Sequence, residues 1–512
     1  MTATPPELPR SVPSFTIPAP TRTYTVTTDL QRALDTATAG DEIRLSGTFT
    51  GNFVLPAKAC GTWITIRSVA EPPAAGVRVT PSTAAGFARV VSPNSAPALK
   101  TVNPTCGWNL LGFAITGTHP QTSVQYGLVW LGDGGWRDGG ETQTDATKVP
   151  NDFVVDRMYI YGSSTLNSTR CLALNTGASV IRDSWFAECH AAGFDSQAIG
   201  GWNGPGPYLI ENNRLEGAGE NVMFGGADPG ISGMVPSDIT IRRNHFFKPL
   251  SWKGGPWSIK NLFELKTARR MLVEGNVFEN VWPASQEGVA IVIKSNANGC
   301  QCTFLGTTDL TFRYNIVRNA AVGLGLQAAD DSYGWTGFIH TQRLRFEHNL
   351  FTNIGNAGTR QSLMLFTHDL KDVELAFNTM VHASGSAGLT LPMAYSFGAA
   401  RRLVLRDNVL TTTSGYSFHN SDNGSVHANA LNAFASDGSW SFTRNVVGGM
   451  LAGYVSLNPG TSWYPSSIAA IGFASDYSLG SGSPYKGRGL GGADPGADIA
   501  ELTRQTTGAV VP

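Results

Sequence analysis

Between residues 213 and 445 an Asn flanked by apolar residues keeps returning. It stands in IENNRL (Asn213), IRRNHF (Asn244), VEGNVF (Asn276), FRYNIV (Asn315), FEHNLF (Asn349), LAFNTM (Asn378), LRDNVL (Asn408) and FTRNVV (Asn445). Successive copies lie 31, 32, 39, 34, 29, 30 and 37 residues apart, and IRDSWF puts Ser184 in the Asn place. Self-similarity at this period means a solenoid. A leucine-rich repeat also carries a periodic Asn, but here each unit holds at least two strand-like runs broken by Gly, as in NLFELK then RMLVEG, and no helical stretch. Stacked parallel strands fit this pattern. Each Asn then sits at a turn and bonds its own coil and the next Asn, so the eight are structural. The uneven spacing means that surplus residues leave a constant coil as loops.

Composition agrees: 59 Gly and 15% charged residues mark a turn-rich β protein. A formal net charge of −1 argues against a nucleic-acid partner, which needs a basic surface. No apolar run reaches the roughly 18 residues of a membrane span. Residues 1–24 read as an extended Pro-rich linker left by a removed leader, 25–505 as the stack, and 506–512 as a tail. Asp29–Asp35 has helical apolar spacing, and a Gly-Asp turn and the strands Glu42–Leu45 and Trp63–Ile66 follow. This order suits a cap over the open first layer of the stack. The six Cys (Cys60, Cys106, Cys171, Cys189, Cys300, Cys302) show no zinc spacing. Their even number suits an oxidising, extracellular or periplasmic setting, with buried free thiols as the alternative.

The stretch DLQRALDTATAGDEIRLSGTFTGNFVLP, the Asn ladder and the ending SPYKGRGLGGADPGADIAEL resemble secreted right-handed parallel β-helix proteins of the pectate-lyase-like superfamily. That resemblance implies an all-β, right-handed parallel β-helix with a short N-terminal capping helix, acting as a monomer. Within that group, FELKTARRMLVEGNVFEN is similar to the Glu-x-Lys strand of the alginate lyase and chondroitinase B family. The similarity implies a Lys base, an assisting Arg and a calcium ion held by acidic and amide side chains. Glu264 and Lys266 match position by position. The family's Arg-His-Gly signature is replaced by Lys294-Ser295-Asn296, so no Arg is assigned.

The residues permit a site of that kind. Segment 241–270 holds eight Lys or Arg against one acid, Glu264. In the strand Leu262–Lys266, Phe263 and Leu265 point inward and Glu264 and Lys266 outward. Equivalent positions on successive coils stack about 4.8 Å apart, which gathers Asp195, Gln197, Glu220, Asn221, Glu264, Lys266 and Lys294 into one stripe. β-Elimination from an acidic polysaccharide needs a base, a cation for the carboxylate and an acid for the leaving oxygen. Lys266 and Lys294 lower each other's pKa and supply the base beside Glu264. Glu220, Asn221 and Glu264 offer oxygen ligands for Ca2+. Asp195, Gln197, Arg242, Arg243, Lys253, Trp257 and Lys260 hold the glycan. The loop Trp202, Trp252, Trp257, Trp282 and Trp335 either stack on sugars or pack their loops down, and Asp330-Asp331 is a calcium candidate or a plain turn. Two alternatives stand beside the lyase: a non-catalytic glycan-binding or surface-structural β-helix, and a glycoside hydrolase using paired carboxylates.

Overall fold

The structure is a computed structural model that describes residues 1–121, 127–134, 143–330, 337–357, 362–367, 369–383, 389–390, 398–421 and 423–510. Among these residues the strands form three parallel sheets of 14, 12 and 13 strands. Each sheet takes every third strand of the coil, so the chain is a right-handed parallel β-helix. No described helix is long and apolar enough to cross a membrane. Asp331 and Trp335 lie outside the described residues.

The ladder follows from hydrogen-bond accounting. At each coil the backbone N–H and Nδ2 of one Asn both donate to Oδ1 of the next, as from Asn244 to Asn276 (2.9 and 3.0 Å) and from Asn276 to Asn315 (2.9 and 3.0 Å). Nδ2 also reaches back to a carbonyl of the previous coil, Ile241 for Asn276 (3.0 Å). Every buried amide atom at the turn is thereby paired. Ser184 keeps half of this: its N–H meets Asn213 Oδ1 and its hydroxyl accepts from Met158 N–H. The residue before each Asn is left-handed, from Asn212 (φ 54°) to Arg444 (φ 53°), with Gly only at 275. Three of these side chains, Tyr314, His348 and Phe377, stack with ring centroids 5.1 Å apart. Inside, Phe246, Phe278, Phe312 and Phe346 form a second aromatic file at 4.3–5.6 Å.

The cap is as the sequence implies. Helix Leu30–Thr36 is N-capped by Asp29 and buries Leu30, Ala33 and Leu34 over the first coil. All six Cys pair, as Cys60–Cys106, Cys171–Cys189 and Cys300–Cys302, so the free-thiol alternative falls. The ends are tied down more closely than a linker and a tail would be. The first strand is Arg22–Val26. Before it, the N–H groups of Thr4, Glu7 and Arg10 donate to Asp372, Asp309 and Asp238 across the 14-stranded sheet. The last segment doubles back along the turns: Ile499 and Leu502 pack on Leu350, and Ala509 accepts from the buried Arg78.

Candidate active site

The site lies on the 12-stranded sheet. Strands Arg170–Leu174, Gln197–Gly201, Glu220–Phe224 and Asn261–Leu265 run in register, with Arg170, Gln197, Glu220 and Asn261 in one column. Glu264 sits further along its strand beside Met223 and Val292. Lys266 and Lys294 follow the paired Leu265 and Ile293, which puts them side by side on neighbouring coils.

Glu264 is the hub. Its Oε1 faces Lys294 Nζ at 3.2 Å and Lys266 Nζ at 3.9 Å, and its Oε2 accepts from Asn261 Nδ2 at 3.0 Å. Lys294 Nζ also meets Asp330 Oδ2 at 2.9 Å. On the preceding coil Glu220 Oε2 accepts from Gln197 Nε2 at 2.6 Å, while its Oε1 meets no donor. At the edge Lys260 pairs with Asp195. Both glutamates are buried, and the lysines and Asp195 form a partly exposed rim above them.

These surroundings split the two carboxyls. Burial pushes Glu264 up, but Lys266 and Lys294, with a hydrogen bond from Glu220, hold it well below the usual carboxylate range. Burial, with Asp195 and Glu264 beside it, raises Glu220 to about 7, so the two carboxyls are driven in opposite directions. The expectation that the two lysines depress each other fails at Lys294. Burial does lower it, yet Glu264 and Asp330 outweigh that and raise it above the ordinary lysine value. Lys260 is likewise raised: burial works against it, and Glu220 and Asp195 prevail. Both are fixed as ammonium groups.

The structure brings Asp195, Gln197, Glu220, Lys260, Glu264, Lys266 and Lys294 together, and it moves the rest away. Glu264, at 1% exposure, lies below the lysines and positions them rather than touching a substrate. Arg242 and Arg243 belong to the 14-stranded sheet and its turn, where both pair with Glu211. Trp257 lies flat on the buried His190 at 3.6 Å, packing its loop, and Lys253 is exposed beside it. Asn221 points inward: Nδ2 donates to the Leu215 and Phe247 carbonyls, and Oδ1 faces Lys248 Nζ at 3.2 Å.

The donor set does not fit calcium as arranged. Asn221 Oδ1 accepts from Lys248 Nζ, Glu264 Oε1 already faces Lys266 and Lys294, and Glu220 Oε2 accepts from Gln197. A calcium ion wants six to eight free oxygens. Among the described residues the one group of three His, Cys, Asp or Glu ligand atoms close enough for an ion is Cys60, Cys106 and Asp152, and those Cys are a disulfide.

Three residues escaped the sequence reading. Lys248 is fully buried and donates to the carbonyls of Gly217, Ala218 (2.8 Å) and Gly219 (3.2 Å). Burial lowers its pKa to about 7, against the pull of Glu220. Asn261 was hidden in an apolar run. Arg170 heads the polar column one coil before the stripe, and carrying the strand register back one more coil finds it.

No protein-family model matches the chain, and no curated protein matches it. Among solved structures it is similar to an alginate lyase from Paenibacillus sp. str. FPU-7, at 15% identity and TM-score 0.38, covering 74% of this chain and 97% of that one. It is also similar to a mannuronic acid specific polysaccharide family 6 lyase from human gut microbiota (13%, TM-score 0.41, 87% of each chain). A third is the Dettilon tailspike protein (13%, TM-score 0.38, 72% of this chain and 60% of that one). At this level the likeness carries no argument about chemistry, which rests on the side chains alone.

Proposed function

We propose that the protein cleaves an acidic polysaccharide by β-elimination, outside the cell or in another oxidising compartment. The observation that carries this reading is the convergence of Lys266 and Lys294 on Glu264 Oε1 beneath a partly exposed lysine rim. In this reading Lys266 Nζ takes the proton α to the uronate carboxylate. The freed electron pair forms a carbon–carbon double bond, the bond to the glycosidic oxygen breaks, and that oxygen takes up the proton from Lys266 Nζ, which returns the lysine to its starting state. Lys294 and Lys260, held charged by their acidic partners, face the carboxylate as its negative charge spreads in the transition state. Their ammonium groups do what a metal ion would do at this position.

The hydrolase alternative needs carboxyls about 5–10 Å apart with sugar or water between them. Glu220 and Glu264 are instead both buried, which leaves no room for sugar or water between them and favours elimination.

The test follows ultraviolet absorbance on a panel of polyuronates and glycosaminoglycans, with calcium and with chelator. The expected result is a rise on at least one polymer at a rate that chelation leaves unchanged, reduced by roughly 10²–10⁴-fold in Lys266→Ala. New reducing ends without absorbance would replace the lyase by the hydrolase. Neither signal on any polymer would leave the glycan-binding reading. A rate lost with chelator and restored by calcium would put the ion back into the site.

A further inference from the structure

Lys248 turns its whole side chain into the interior, where it is fully buried. It follows the strand His245–Phe247, and its backbone is pinned to the next coil by its N–H, which donates to Glu279 O (3.2 Å). Its Nζ meets four oxygens: the carbonyls of Gly217, Ala218 (2.8 Å) and Gly219 (3.2 Å), and Asn221 Oδ1 (3.2 Å). A buried amine is costly to keep, and a buried carbonyl is costly to leave without a donor. The amine and the turn that carries these carbonyls therefore depend on each other.

That turn is where the backbone of the site converges. It joins the strand Arg214–Gly217 to Glu220–Phe224, so Glu220 follows it directly. A Cβ at position 219 would stand 2.7 Å from Ser196 O, so the turn closes this tightly only because Gly219 has no side chain. On the next coil, Lys260 N–H donates to Ala218 O (3.1 Å) and Asn261 N–H to Gly219 O (2.9 Å). Lys260 in turn pairs with Asp195, and Asn261 Nδ2 holds Glu264 Oε2. Among the described residues no side chain but Lys248 donates to the three carbonyls. One amine thus fixes the backbone that carries Glu220, Lys260 and Asn261.

We propose that Lys248 is a positioning residue for the reaction: its Nζ holds the turn 217–219, and through it Lys260 and Asn261, where elimination needs them. This rests on the lyase reading above and extends it to a residue that touches no substrate. In that reading Lys260 faces the uronate carboxylate in the transition state, and Asn261 orients Glu264 beneath Lys266 and Lys294. A shift of the turn therefore displaces the groups that stabilise the transition state and leaves the rest of the substrate's contacts in place. The effect falls on kcat rather than on KM.

The test is Lys248→Met, which keeps the apolar stem, removes the N–H groups and leaves a gap of one atom beside the four oxygens. We expect kcat on the cleaved polyuronate to fall about 10–10²-fold at nearly unchanged KM. Ammonium chloride should restore part of that kcat, and tetramethylammonium chloride should not. In residue-resolved hydrogen exchange the Lys260 and Asn261 amides should exchange about tenfold faster or more, while those of Phe263 and Leu265 keep their protection. A lower melting temperature with unchanged kcat would overturn the proposal and make Lys248 structural. A lost kcat that ammonium does not restore, with exchange raised along the whole strand, would overturn it as well. Should Lys248→Met not fold, Lys248→Gln, which keeps an amide donor, is held to the same criteria. If the unaltered protein cleaves no polymer, the lyase reading falls by itself, and selective exchange at Lys260 and Asn261 still decides whether Lys248 holds the turn.

Discussion

Glu220 and Glu264 are the same chemical group on neighbouring coils, and their surroundings drive their pKa values in opposite directions. The consequence for stability has a definite sign. Glu220 has its folded-state pKa raised by burial and by Asp195 and Glu264, from an ordinary 4.5 to about 7. Between those values the folded chain binds more proton than the unfolded one, so stability falls as pH rises from about 4.5 through about 7. Glu264, depressed by its lysines after burial has opposed them, contributes in the other sense. Its stabilisation is full above the unfolded value and is lost only in acid. Glu220→Gln keeps a donor for Glu264 and an acceptor for Gln197 but cannot ionise. Thermal unfolding should therefore show parent and variant alike near pH 5 and the variant more stable at pH 8. A variant that is less stable at pH 8 would mean that the fold favours the Glu220 carboxylate and does not raise its pKa.

The ladder is the element that makes each coil repeat. Asn276 accepts from the N–H and Nδ2 of Asn244 and donates to Ile241, Glu274 and Asn315. Truncation strands a buried N–H and several carbonyls at 1–3 kcal/mol each, so Asn276→Ala should lower the unfolding free energy by about 3 kcal/mol in denaturant titration. Asn276→Ser should cost distinctly less, because Ser184 already shows a hydroxyl accepting the neighbouring coil's N–H. Equal losses would deny the serine that role. This element was legible in the sequence because a turn's hydrogen bonds are local and demand one residue type. Lys266 and Lys294 were legible for a similar reason, since strand register follows from alternation. What was not legible is what the loops and turns decide. Arg242 and Arg243 read as neighbours of Lys266 in sequence but belong to another sheet. Asn221 alternates outward on paper yet is drawn inward by Lys248, a lysine from a third element. The raised pKa of Lys294 depends on Glu264 first and then on Asp330, which arrives from the next coil.

At the scale of the whole molecule, the stack is braced along its length by its own N-terminal arm. Thr4, Glu7 and Arg10 donate their N–H groups to Asp372, Asp309 and Asp238, three residues apart on the arm and two coils apart on the sheet. Two coils span about 9.6 Å, and three residues of polyproline II span about 9.3 Å, so a Pro-rich segment and this sheet share a repeat. Pro5, Pro6 and Pro9 fill intervening positions and bring no N–H that needs a partner. Each receiving Asp is left-handed and is paired with an Arg of the next coil, Arg402, Arg343 and Arg270 in turn. Burial works to raise these carboxyls, but the Arg partners and the arm's N–H groups hold all three below the ordinary aspartate value, so the track stays ionised into acid. Phe15 and Ile17 then anchor the arm on Val154, Val180, Leu209 and Trp63 before the first strand begins. The match of repeats predicts a pattern that no generic ordering would give. In residue-resolved hydrogen exchange the amides of Thr4, Glu7 and Arg10 should exchange roughly tenfold or more slowly than those of Leu8 and Ser11. Asp309→Asn should release Glu7 first while Arg10, held by a separate carboxylate, keeps its protection. Uniform protection along residues 3–11, or none, would mean that the arm is held by something other than this spacing.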